Sequence, residues 1–211
     1  MPCTLTTNHD PRPLELARHR GLHPEGGRLI SSWFAKAWAQ RKDEDAIFES
    51  FIFSWFSVNA WAACVTGVDR DAEYIRRLQR DAGLRQKFTD LIAADSDFSE
   101  AARRFHSMWP VFKAQSIRRS QVQADQGLSR AETVRHYFEM GVAEFEPDCW
   151  KAHQEAGEAV PLDWAHTLQT LYRVRCNLFH GEKSAHSEMD RAIVRAAFDV
   201  LVLFFRGAEI L

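Results

Sequence analysis

Glycine and proline are scarce, at 10 and 7 in 211 residues, which argues against an all-β sandwich built on frequent turns. Four cysteines (Cys3, Cys64, Cys149 and Cys176) lie scattered with no C-x-x-C spacing. That is the pattern of reduced thiols rather than of a disulfide frame or a zinc knuckle. Charge of neither sign prevails: the formal net charge is −2, so any nucleic-acid contact needs a local patch. The charge-free stretch from Phe51 to Gly67 is short for a bilayer span and includes Ser54, Ser57 and Asn59. The opening MPCTLTTNHDPRP has no apolar core of the signal-peptide kind, so a cytoplasmic protein without membrane contact is expected. Also missing are G-x-G-x-x-G, a phosphate loop ending in Gly-Lys-Ser/Thr, a G-x-S-x-G elbow and H-E-x-x-H. Their absence excludes the common dinucleotide, nucleotide-hydrolase, serine-hydrolase and zincin motifs, and no cofactor is expected.

What is present is helical periodicity from one end to the other. Residues 1–27 read as a loosely ordered arm, and 28–211 as a single helical domain. A first helix is predicted over Arg28–Arg41, with Ile30, Trp33, Phe34, Ala37 and Trp38 at three-to-four spacing. Asp43 and Glu44 open the strongest apolar segment, which is greasy on two faces and so predicts the central helix of a bundle. Its Asn59 is either a core amide satisfied by a backbone carbonyl or a residue bordering a cleft. Asp69–Ala94 is helical with a break expected at Gly83, Asp95–Phe98 reads as a turn, and Ser99–Trp109 is a helix stopped by Pro110. Ser129 and Glu132 stand at capping-box spacing before a helix predicted to Phe145, and 146–162 reads as a connection. Asp163 caps a helix over Trp164–His180, and Ser187 with Asp190 caps the last one. That last helix has a second apolar face (Val194, Phe198, Leu201, Phe205), to be covered by the bundle or by a partner subunit.

The chemistry concentrates in Leu168–Gly181, LQTLYRVRCNLFHG. Leu168, Leu171, Val174 and Leu178 give the helix its apolar stripe, and a histidine followed by glycine ends it. Arg175, Asn177 and His180 crowd its last turns. An arginine that grips phosphate and a histidine, whose unperturbed titration lies near neutrality, make a kit for cutting RNA. An arginine, four to six intervening residues and a histidine also occur at Arg12/His19, Arg18/His23, Arg130/His136 and Arg173/His180, so context and not spacing selects the pair. Residues five apart on an α-helix point about 140° apart. Arg175 and His180 therefore meet only if the helix ends near Phe179, or if a second copy completes the site. Residues 101–136 carry a local excess of five positive charges, a solvated face or a guide for phosphates. Glu182, His186 and Asp190, spaced by four, form the weaker candidate for a metal-dependent hydrolase.

The RVRCNLFHG helix end, the polar turn after it and the terminal amphipathic helix together resemble HEPN domains. The FIFSWFSVNAWAA stretch is also similar to the early aromatic helix of some bacterial members. The similarity covers about Asp45–Gly67 and Trp164–Gly207, leaving the middle of the chain as an extra helical insertion in a HEPN-like all-α bundle. The resemblance implies a metal-independent endoribonuclease with a composite site at a homodimer cleft, in phage defence or toxin–antitoxin pairs. His180 would be general acid or base and Arg175 would hold the scissile phosphate, with Asn177 ordering the site. Arg173, Lys183, Arg118 and Arg119 are the candidate RNA-binding residues, and an antitoxin or regulatory protein is a possible further partner. Two positions depart from the family pattern: Cys176 follows the arginine, and Glu182 stands where some toxins carry a modifiable tyrosine. The alternative is a non-catalytic helical dimer that binds RNA, a nucleotide or a partner protein.

Overall fold

The apolar periodicity becomes ten α-helices among the described residues, with one ladder of two short strands. A computed structural model describes residues 13–21, 24–120, 122, 127–181, 183 and 187–211. The fold is all-α. No single helix among the described residues is long and apolar enough to cross a membrane.

Helix α1 (Pro24–Ala39) lies along α2 (Ile47–Thr66), and α2 also packs on α3 (Asp71–Arg80) and on α10 (Glu188–Gly207). That position explains why α2 is apolar on two faces: Phe51, Trp55, Val58 and Trp61 are all buried. It stops at Gly67, whose φ of 68° closes the helix with an N–H to the Ala63 carbonyl. Helix α10 also packs on α5 (Ser96–His106), and its second apolar face is covered within the chain: Val194, Phe198, Leu201 and Phe205 are all buried, Phe205 edge-on to Trp61 of α2 at 5.0 Å.

Several boundaries differ from expectation. Helix α1 starts at Pro24, inside the expected arm and before the expected Arg28, and ends at Ala39 rather than Arg41. The break after α3 falls at Asp81, which begins α4 (Ala82–Ala94) by accepting from the Leu84 N–H at 2.8 Å. Gly83 sits inside that first turn, where a Cβ would lie 3.2 Å from the capping Asp81 Oδ1. Asp95 alone makes the next turn, its side chain capping α5. Helix α7 (Arg130–Glu139) has the expected capping box of Ser129 and Glu132 but ends six residues short of Phe145. Gly141, at φ 66°, turns the chain there into strand β2 (Phe145–Glu146).

Strand β2 pairs antiparallel with β1 (Val111–Phe112), and the two close a satellite lobe over the middle of the chain. The lobe contains α6 (Ala114–Ser120), α7 and α8 (Trp150–Ala156), the last inside the expected connection. It has its own small core, in which Tyr137, Phe138, Phe145 and Trp150 meet.

Residues 13–21, expected within a loose arm, are instead tied to the main core. Leu14 N–H donates to Asp81, Trp61 Nε1 to the Leu16 carbonyl, and Arg20 to the Glu209 carbonyl.

Candidate functional site

The carrier of the Arg–His pair is α9 (Trp164–Phe179). Asp163 starts it as expected, accepting from the His166 N–H at 3.0 Å and facing His166 Nδ1 at 2.9 Å. Burial pushes the Asp163 carboxyl up, but hydrogen bonds and charge from His166 outweigh burial and leave it below the ordinary aspartate value. The helix stops at Phe179. His180 is its C-cap, with N–H to the Cys176 carbonyl at 3.0 Å, and Gly181 follows at φ 68°. The helix therefore ends where Arg175 and His180 require it to end if one chain is to bring them to the same edge. His180 is exposed, and no described residue pairs with its imidazole.

Arg175 is preorganised. Its Nη2 lies 2.8 Å from Asp71 Oδ2, the two side chains being 20% and 28% exposed. Its guanidinium carbon sits 4.6 Å from the Phe179 ring centre, 5.9 Å from Tyr172 and 6.0 Å from Trp55. Rings on several sides fix the plane of the guanidinium without consuming its N–H edge. Its Nε is buried and has no acceptor among the described residues. Around the pair, Tyr74 donates to Asn59 Oδ1, so Asn59 is satisfied by a phenol and not by a backbone carbonyl. Burial, reinforced by Asp71, raises the Tyr74 hydroxyl well above its ordinary value. Burial, then the neighbouring Cys176, pushes Tyr172 up to about 12. Both phenols thus stay protonated at neutral pH and act as hydrogen-bond donors.

Asn177 belongs elsewhere. It is 2% exposed, its Nδ2 donates to the Phe112 carbonyl at 2.7 Å, and its Oδ1 accepts from the Ala114 N–H at 3.4 Å. Two residues on a helix differ by about 200°, so Asn177 faces away from Arg175 and fastens β1 to α9. Its amide bonds the Phe112 carbonyl and the Ala114 N–H and, among the described residues, not His180, so the expected ordering role is corrected. Arg173 shares that far side: it pairs with Glu146 at 2.8 Å, and burial raises the Glu146 carboxyl despite the arginine. Arg173 anchors the satellite lobe rather than reaching for a substrate. Replacing Asn177 by alanine is expected to cost about 1–3 kcal/mol in a denaturant titration, because two backbone groups lose their partner.

Lys183, a second expected RNA contact, is largely buried against Asp190, at 2.5 Å. Asp190 also donates its N–H to the Ser187 cap. Of the metal candidates, Glu182 and His186 lie outside the described residues, and among the described residues no three His, Cys, Asp or Glu side chains gather. Arg118 and Arg119 are exposed on α6, in the lobe held against the other side of α9. The rest of the basic stretch divides. Arg104 pairs with Asp199, Lys113 with Glu144, and Arg130 donates to the Met108 and Pro110 carbonyls, while Arg103 and Arg135 remain exposed.

Sequence reasoning missed Asp71, Tyr74 and the surface rings beside the motif. Asp71 reads as an ordinary acid in a helix's first turn, so only the fold reveals it as Arg175's partner. Compared with protein-family models, curated proteins and solved structures, the chain matches none.

Proposed function

We propose that this chain is a metal-independent endoribonuclease of HEPN type, working as a homodimer in phage defence or under an antitoxin. One observation carries the reading: an exposed histidine, unpartnered among the described residues, stands one residue beyond a helix whose last ring stacks on a preorganised arginine. In this scheme His180 takes the proton from a ribose 2′-hydroxyl, and the 2′-oxygen attacks the adjacent phosphorus. The 5′-oxygen leaves with a proton from the His180 of a second copy. Arg175, held by Asp71, offers its remaining N–H groups to the phosphate oxygens as negative charge builds up. The products are a 2′,3′-cyclic phosphate and a 5′-hydroxyl.

A second reading is favoured by the Arg175–Asp71 bridge, which already neutralises the guanidinium. On that reading the chain is a helical dimer that binds RNA, a nucleotide or a protein without cutting. Labelled RNA incubated with the protein in excess chelator separates the two. Cleavage lost in both His180→Ala and Arg175→Ala supports the nuclease; retention of RNA without cleavage supports the binding module.

A further inference from the structure

Trp33, Phe53, Phe56 and Phe179 form an unbroken ribbon of rings across α1, α2 and the end of α9. Lys36 Nζ lies 4.4 Å from the Phe53 ring centre, and Phe53 stacks on Trp33 at 5.2 Å. Trp33 meets Phe56 edge to face at 5.5 Å, and Phe56 meets Phe179 at 6.2 Å. Arg175 closes the series at 4.6 Å from Phe179. The ribbon thus has a cation at each end, and Lys36 has no carboxylate partner among the described residues. Phe56 and Phe179 are 39% and 40% exposed, and Phe179 directly precedes His180.

Trp33 and Phe53 are half-buried and stack on each other, whereas the neighbouring rings of Phe56 and Phe179 are exposed side by side, and such a pair calls for an occupant. With roughly 150–250 Å² per aromatic side chain, such exposure leaves on the order of 150 Å² for the two rings together, far below the ~800 Å² each partner buries in a stable protein interface. A nucleobase needs only one ring, and the phosphates that travel with it need cations. The ribbon supplies both, which is the composition of a single-strand platform.

We propose that this ribbon is a base-stacking track for single-stranded RNA, delivering the strand to Arg175 and His180; the inference rests on the ribonuclease reading above. Bases in a duplex already stack on one another and cannot use such a track, so the substrate class is unpaired RNA.

The test is fluorescence anisotropy with a labelled single-stranded deoxyoligonucleotide, which lacks the 2′-hydroxyl and cannot be cut, against the same sequence as a duplex. The single strand is expected to bind more tightly. Phe56→Ala and Phe179→Ala should each weaken it about tenfold, whereas Phe56→Trp, which keeps a stacking face, should retain binding. Equal affinity for the duplex, or unchanged binding in Phe56→Ala, overturns the proposal. So does conversion of a dimer to a monomer by Phe56→Ala, which would make the ribbon a seam between copies. Because the probe is inert, binding is read separately from catalysis. Phe56-dependent binding without RNA cleavage removes only the nuclease reading, and cleavage with Phe56-independent binding removes only the track.

Discussion

His180→Ala is expected to slow RNA cleavage by about 10²–10⁴-fold and to leave the unfolding curve where it was. The two halves of that expectation come from different features. The rate loss follows from removing the group that moves protons at the 2′-hydroxyl and the leaving oxygen. The unchanged stability follows from the setting: the imidazole is exposed and no described residue pairs with it, while the C-cap bond to Cys176 is made by backbone. Arg175→Ala should behave differently, because it removes a phosphate ligand and also leaves Asp71 partly buried without its partner. Its variant loses rate and stability together. Initial rates on labelled RNA, paired with urea titrations of both variants, distinguish a chemical residue from one with two duties.

Trp164→Ala is expected to cost about 3–5 kcal/mol, a large share of the ~5–15 kcal/mol that holds a typical domain together. Trp164 is 1% exposed, stacks on Phe204 at 4.3 Å and donates its Nε1 to the Leu78 carbonyl at 2.7 Å. Its loss opens a cavity between α9 and α10 and leaves the Leu78 carbonyl of α3 with the Asp81 N–H at 3.3 Å as its remaining donor. Trp164→Phe keeps a ring to stack on Phe204 but loses the hydrogen bond and part of the indole's volume, so it should cost less, about 1–3 kcal/mol. Chemical denaturation followed by circular dichroism reads both. The position matters for function because it seats the start of the helix whose far end carries Arg175 and His180.

Helix ends carrying a local chemical signal were legible in the sequence. Asp163, Ser129 with Glu132, and Ser187 with Asp190 each act within one turn of chain, so local sequence suffices to place them. The termination at Phe179 belongs to the same class, because His180-Gly181 dictates it. Long-range choices were not legible. Strands of two residues carry no alternation to read, and β1 and β2 exist because distant chain segments meet. Asp81 outranks Gly83 as the break because its carboxylate serves both the Leu84 and the Leu14 N–H groups, the second of them 67 residues away. Asn177 is a different kind of miss. Its angle on α9 already separates it from Arg175, but a motif-based reading placed it with its neighbours in sequence instead of its neighbours in space. Arg173 follows the same geometry, and both turn out to hold the satellite lobe.

The most direct measurement is the chemistry of the cut end. RNA digested by the purified full chain in excess chelator, then analysed by mass spectrometry, should yield fragments ending in 2′,3′-cyclic phosphate, with a 5′-hydroxyl on the other side of the break. Fragments ending in a 3′-hydroxyl and a 5′-phosphate, or cutting that appears only when a divalent ion is restored, would contradict attack by the ribose hydroxyl under His180.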